Sequence, residues 1–117
     1  LKMPHKYIDM LKEKNIPFQE TDSLEAHIND CAILYMTRVQ QERFPSKEDY
    51  DRVKDTYILS ASMLKNVKEN MKILHPLPRV NEINTDVDDT PYAYYFQQAR
   101  NGMFVRMAVI SYLLGYR

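Results

Sequence analysis

Two short apolar runs constrain the fold of this chain more than any other feature. The first, CAILYMT, covers residues 31–37, and the second, KILHP, covers residues 72–76. A continuous apolar run of this length is typical of a parallel strand that is covered on both faces. Helical patterns surround both runs, and strands that alternate with helices form parallel βαβ units. The sequence therefore predicts a three-layer α/β sandwich, in which helices flank a mainly parallel, Rossmann-like sheet and the last element is a long C-terminal helix.

The remaining elements are predicted from residue spacing and from capping residues. Ser23 and Ser60 precede helical patterns and are the predicted N-caps. A long loop is expected over 77–91. Two further short strands are expected, at the start of 16–23 and over 57–60. Helices are expected over residues 4–14, 23–29, 47–54, 60–71 and 91–114.

Composition limits the possible functions. The 117 residues fit one domain, and 44% apolar with 27% charged residues argue for a packed core. The formal net charge is zero, so the chain lacks the basic footprint of a general nucleic-acid binder. The apolar run 103–114 is too short to span a bilayer and contains Arg106. Cys31 is the only cysteine, which suits a reducing compartment. We expect a cytoplasmic protein that binds neither nucleic acid nor membrane.

Cofactor and metal sites are not expected. The chain has only two glycines, whereas phosphate-binding loops need several glycines near a strand end. Its three histidines lie far apart, and the acidic cluster at residues 86–89 lacks the rest of a calcium loop. The sequence predicts no metal and no cofactor.

The residues that follow the two apolar runs carry the most distinctive chemistry. Ligands of parallel α/β sheets bind outside the carboxyl ends of the strands. Arg38 follows the first run in YMTRVQ, and Arg79 follows the second in LHPLPR. Arginine pairs with carboxylate or phosphate in a two-point contact. Convergence of the two arginines would favour a small ligand with several negative charges.

The turn HPLP, residues 75–78, restricts its own hydrogen bonding. Its two prolines lack backbone N–H groups and hold the neighbouring residues extended. The turn therefore offers carbonyl acceptors while two of its four amide donors are missing. A loop that simply ends a strand is the alternative interpretation.

Three separated motifs give the chain a family resemblance. LYMTRVQQERF (34–44), HPLPRVNEI (75–83) and YYFQQARNGMFVRMAV (94–109) resemble the aspartate-binding half of the aspartate carbamoyltransferase catalytic chain. The resemblance covers nearly all 117 residues, including the opening LKMP. It implies that residues 1–117 are an aspartate-binding domain. It also implies that this is a fragment of a longer chain, without the N-terminal carbamoyl-phosphate domain.

The resemblance implies a reaction and a set of site residues. In the family, aspartate attacks carbamoyl phosphate to give carbamoyl aspartate and phosphate in pyrimidine biosynthesis. Arg38 and Gln40 match the residues that hold the aspartate carboxylate, and Glu42 matches the acid that orients the arginine. The backbone carbonyls that accept hydrogen bonds from the carbamoyl and amino groups would belong to Pro76 and Leu77.

Five further expectations rest on the same resemblance. Arg79 would lie at the mouth of the site, and Arg43 would bridge to the absent domain. His75 would be structural, and Arg106 would form a buried or interdomain ion pair. The Leu77–Pro78 peptide bond is expected to be cis.

The implied partners are L-aspartate, carbamoyl phosphate, the carbamoyl-phosphate domain and, for the full catalytic chain, two further copies in a homotrimer. Two alternatives remain. A sister transcarbamoylase acting on ornithine usually has H-C-L-P in this turn and must hold a cationic side chain, whereas this chain has Pro76. A non-catalytic α/β assembly module is the other.

Overall fold

A computed structural model describes residues 2–116 of the chain. Its helices and strands are α1 (His5–Glu13), β1 (Ile33–Tyr35), α2 (Lys47–Asp51), β2 (Lys72–Leu74) and α3 (Tyr95–Leu113). Short 3-10 turns lie between them, at Ile28–Asp30, Gln41–Arg43, Ala61–Leu64 and Thr85–Val87.

The two predicted central strands form a parallel pair. Leu34 of β1 lies opposite Ile73 of β2. Two isolated parallel bridges extend this arrangement, one from Leu59 to Ile83 and one from Ile73 to Ala93. The α/β fold with a parallel sheet, flanking helices and a long C-terminal helix is therefore confirmed.

The core lies on one face of the sheet. Side chains of a strand alternate between faces, and Leu34 and Met36 from the first run meet Ile73 from the second on the buried side. Burial of each large apolar side chain contributes about 1.5–3 kcal/mol to folding. The rest of the core is formed by Ile28, Leu59, Leu64, Met71, Ile83, Val87 and Tyr95.

The prediction that the first strand is covered on both faces is wrong for residues 2–116. Ile33 and Tyr35 are 55% and 54% exposed, so the elements described here cover this face of the strand only in part. Lys72 and Leu74 of β2, which lie opposite Ile33 and Tyr35, are half-buried.

Several predicted minor elements are also corrected. Residues 16–23 form no strand, and Ile16 and Phe18 are largely exposed. Ser23 Oγ does accept a hydrogen bond from the Ala26 amide at 3.3 Å, but only turns and a 3-10 segment follow. Ser60 does not cap, since its hydroxyl lies 2.8 Å from that of Ser62.

Two further predicted elements are shorter in the structure, and two helices lie where they were predicted. The predicted strand at 57–60 is reduced to the bridge at Leu59. Of the predicted helix over 60–71, only the 3-10 turn Ala61–Leu64 is present. α1 and α2 lie within the ranges predicted for them.

The long C-terminal helix begins later than its sequence pattern suggested. The backbone just before Tyr95 forms hydrogen bonds with β2 instead of helical ones. The Ile73 amide donates to the Tyr92 carbonyl, and the Tyr94 amide donates to the Ile73 carbonyl. Tyr95 is buried at the start of α3, but Arg106 is exposed, so the predicted buried ion pair is wrong. An interdomain pair for Arg106 stays a prediction. Within residues 2–116, no helix has the length and apolar character to cross a membrane.

Candidate functional site

A cavity of about 450 Å³ lies where the carboxyl ends of β1 and β2 meet. The segment after β1 and the turn after β2 supply its walls, because parallel strands end at the same edge of the sheet. Of the predicted site residues, the structure brings together Arg38, Gln40, Arg43, Pro76 and Leu77. The complete lining is Thr37, Arg38, Gln40, Arg43, His75, Pro76, Leu77 and Pro78.

Arg38 forms an ion pair with Glu42. Its Nη2 donates to Glu42 Oε1 at 2.6 Å, and the arginine side chain is 37% exposed. A hydrogen bond from its own backbone amide, and then the attraction of Arg38, hold the pKa of the Glu42 carboxyl below its usual value. A guanidinium has five N–H donors, so this pair leaves donors for an anion in the cavity.

The turn after β2 lines the same cavity. The Leu77–Pro78 bond is cis, as predicted, and Leu77 has a left-handed φ of 48°. The His75 amide donates to Gln98 Oε1 at 2.8 Å, and the Leu77 amide donates to His75 Nδ1 at 2.9 Å. Because the prolines have no N–H, every amide donor of the turn is absent or already used. Residues 75–78 therefore have no free backbone donor, and a ligand that meets the turn's backbone can bind only to its carbonyl oxygens.

A buried side-chain pair, His75 and Glu82, lies next to this turn. His75 and Glu82 are 1% and 3% exposed, and His75 Nε2 lies 2.7 Å from Glu82 Oε1. The amides of Val80 and Asn81 donate to the other carboxylate oxygen at 3.1 and 3.2 Å. Burial alone would raise the pKa of Glu82, but hydrogen bonds from backbone amides and from His75 outweigh it and lower the pKa. Glu82 is therefore held as a carboxylate.

Arg79 is not among the residues that line the cavity with Arg38, so the two arginines do not converge there. Both terminal nitrogens of Arg79 donate to the carboxylate of Asp88, and Nη1 lies 3.2 Å from the Tyr95 hydroxyl. The hydrogen bonds from Arg79 lower the pKa of Asp88. Burial, followed by the hydrogen bond to Asp88, raises the pKa of Tyr95 to about 12. Arg79 thus ties the turn to the start of α3.

Sequence reasoning missed Glu82, Asp88 and Gln98. Glu82 lies within a quoted motif, but no local spacing links it to His75. Gln98 lies 23 residues from His75, and its amide also donates to the Tyr35 hydroxyl at 3.2 Å. Only the folded chain brings these groups together. In the part of the chain that the structure describes, no three His, Cys, Asp or Glu side chains are grouped closely enough to hold a metal ion.

Comparison with known proteins identifies the class. Residues 2–113 match the family described as aspartate/ornithine carbamoyltransferase, Asp/Orn binding domain. The chain belongs to this family.

The relatives share a more specific name. The chain is 58% identical over 116 residues to the aspartate carbamoyltransferase catalytic subunit of Bacteroides fragilis, covering 98% of this chain and 38% of the relative. It is 57% identical over 115 residues to that of Clostridium novyi, with the same shares covered. The chain thus spans little more than a third of the length of these relatives.

Solved structures agree with this family. The catalytic subunit of M. jannaschii aspartate transcarbamoylase matches with a TM-score of 0.86 and 43% identity, over 98% of this chain and 38% of that one. The Trypanosoma cruzi aspartate transcarbamoylase in complex with carbamoyl phosphate and aspartate matches with a TM-score of 0.81 and 33% identity, over 92% and 36%.

Proposed function

We propose that this chain is the aspartate-binding part of an aspartate carbamoyltransferase. In the proposed reaction, the amino group of L-aspartate attacks the carbonyl carbon of carbamoyl phosphate, and N-carbamoyl-L-aspartate and phosphate are formed for pyrimidine biosynthesis. One observation carries the proposal: an arginine paired with a carboxylate and a turn without a free backbone donor line the same cavity.

Arg38 and Gln40 are the proposed aspartate ligands. Both line the cavity, and Glu42 reduces the freedom of the Arg38 guanidinium before the substrate arrives. A preoriented guanidinium forms a two-point contact with a carboxylate at a smaller entropic cost than a free one. Gln40 supplies an amide donor next to it. These two side chains would place the aspartate so that its amino group points towards the turn.

Pro76 and Leu77 are the proposed ligands of the reacting nitrogen atoms, through their carbonyl oxygens. A neutral amine that attacks a carbonyl carbon becomes positively charged as the new bond forms. Fixed carbonyl dipoles beside that nitrogen stabilise the developing charge. The carbamoyl NH₂ group also needs acceptors. A turn without a free amide donor meets both requirements.

The phosphate of the second substrate needs a separate anion site. We infer that the carbamoyl-phosphate domain of a full-length catalytic chain supplies it, and that Arg43 bridges towards that domain. The apolar surface of α3 is the proposed contact, since Met103, Phe104, Val105, Met107 and Ile110 are each between 49% and 60% exposed. Burial of such a surface is a strong driving force for docking.

Oligomeric state and location follow from the same proposal. Three copies of the full catalytic chain would form a homotrimer in the cytoplasm. The reaction needs no cofactor, and no nucleic acid or membrane takes part. Acid–base and positioning effects are sufficient for attack of an amine on carbamoyl phosphate.

Steady-state kinetics of a full-length catalytic chain that carries this sequence test the proposal. Carbamoyl product is measured with aspartate and, in parallel, with ornithine as the amino acid. We expect saturable carbamoyl aspartate formation and no product from ornithine, because its cationic side chain would lie beside Arg38 and Arg43. Preference for ornithine would contradict the assignment, and absence of any carbamoyl transfer would favour an assembly module.

A further inference from the structure

The two ring nitrogens of His75 have different hydrogen-bond partners. Nε2 lies 2.7 Å from Glu82 Oε1, and Nδ1 lies 2.9 Å from the backbone nitrogen of Leu77. The side chain is 1% exposed, so water does not compete for either nitrogen. The ring therefore joins a buried carboxylate to the backbone of the HPLP turn.

These partners define one tautomer of the ring. A backbone amide can only donate, so Nδ1 must be an unprotonated acceptor towards Leu77. Glu82 accepts two backbone amides on its other oxygen, which favours the ionised carboxylate. A carboxylate can only accept, so Nε2 must carry the hydrogen. Both nitrogens are satisfied only in the neutral form with Nε2–H.

We propose that His75 is a positioning residue that holds the Leu77 amide inside the turn, so that the turn presents only carbonyl oxygens to the substrate nitrogens. This inference rests on the proposed function of the cavity. The left-handed φ of 48° at Leu77 is unfavourable for a leucine and persists only where surrounding contacts fix it. The bond to His75 Nδ1 is the contact that holds this residue's own amide. Without it, the Leu77 amide is free to turn towards the cavity as a donor.

The alternative is that His75 has a purely structural role, in which only its hydrogen bond to Glu82 matters. Two substitutions separate the possibilities, because each keeps one half of the imidazole. His75→Asn places an acceptor oxygen near the position of Nδ1 but does not reach Glu82. His75→Gln can donate to Glu82 but has no acceptor near Nδ1.

The test compares both variants with the wild type in a full-length catalytic chain, by thermal unfolding and by aspartate kinetics. His75→Asn should be the less stable variant, because it leaves buried Glu82 without one donor. It should nevertheless retain kcat within about threefold, whereas His75→Gln should lose roughly tenfold, the loss expected when one hydrogen bond no longer holds the turn. Opposite orders for stability and kcat support positioning. The same order in both measurements would overturn it.

Neutron diffraction from crystals of the full-length wild type gives a second test that needs no variant. The proposal predicts a hydrogen on Nε2 of His75 and none on Nδ1, and a hydrogen on Nδ1 would overturn it. Failure of the proposed function would be seen separately, as a wild type that forms no carbamoyl aspartate. The neutron map would still decide the hydrogen bond to Leu77 in that case.

Discussion

Replacement of Asp88 by alanine is expected to destabilise the chain by about 2–3 kcal/mol. Asp88 accepts hydrogen bonds from both terminal nitrogens of Arg79 and from the Tyr95 hydroxyl. The substitution would leave a guanidinium and a phenol without their shared acceptor. It would also release the HPLP turn from the start of α3.

The magnitude follows from the burial of this cluster. Loss of one partner from a fully buried ion pair costs about 3–5 kcal/mol, whereas an exposed pair contributes less than about 1 kcal/mol. The Arg79 and Asp88 side chains are 17% and 24% exposed, so solvent screens the pair only in part. Tyr95 is fully buried, and an unsatisfied buried hydroxyl costs about 1–3 kcal/mol when no other partner replaces the lost one. The Tyr95 hydroxyl oxygen still accepts from Arg79 Nη1, so only its O–H loses a partner. The expected loss of about 2–3 kcal/mol therefore lies between the values for exposed and fully buried pairs.

Urea denaturation of the chain measures this difference. Asp86→Ala is the matched control, since Asp86 lies in the 3-10 turn Thr85–Val87, which ends directly before Asp88, and is exposed. The control should change the free energy of unfolding by no more than about 0.5 kcal/mol. If Asp88→Ala were no more destabilising than Asp86→Ala, the cluster would not anchor the turn and the reasoning would be refuted.

Three further predictions concern pH and activity. Wild-type stability should fall as the pH drops below about 4.3, because Glu82 then binds a proton in the unfolded chain but, with its lowered pKa, not in the folded chain. In urea titrations at a series of pH values, Glu82→Gln should reduce this loss of stability in acid. An unchanged dependence on pH would contradict the prediction. Stability should also fall as the pH rises from about 10 to 12, because the pKa of the Tyr95 phenol is about 12 in the folded state but near 10 in the unfolded chain. Tyr95→Phe should reduce this loss of stability in alkali. An equal loss in the variant would argue against the prediction. The 117-residue chain alone should form no carbamoyl aspartate in a colorimetric assay, since the proposed phosphate site lies elsewhere, and measurable product would contradict that division.

The main elements of the fold could be predicted because their signals are local. The two central strands are short apolar runs, and the C-terminal helix has a long apolar pattern, so each is visible in its own residues. The segment 16–23 has a similar apolar start, but strand formation needs a neighbouring strand, and none lies beside it in residues 2–116. Coverage of the sheet likewise depends on which elements pack there, so the exposure of Ile33 and Tyr35 could not be predicted.

The candidate site shows the same division. Arg38 and the HPLP turn could be placed in one cavity because both directly follow parallel strands. The side chain that pairs with Arg79 could not be predicted, since Asp88 reaches it only through the tertiary path of the loop. The role of Glu82 was hidden for the same reason.

The central claim is that Arg38 recognises the aspartate carboxylate. Loss of a charge-assisted two-point contact costs roughly 2–5 kcal/mol, which corresponds to at least about a 30-fold change in rate or affinity. Part of this loss should appear in kcat if the contact strengthens in the transition state. Gln40→Ala should have a milder effect because its amide is neutral, and Glu42→Gln should be intermediate because it only frees Arg38.

The most direct test is the kinetic analysis of Arg38→Ala in a full-length catalytic chain, with Arg52→Ala as the control because the Arg52 side chain is 77% exposed. The account predicts that kcat/KM for aspartate falls by about 30-fold or more, while carbamoyl-phosphate affinity and the control stay near wild-type values. Near-normal aspartate kinetics for Arg38→Ala, or a collapse of carbamoyl-phosphate affinity instead, would contradict it.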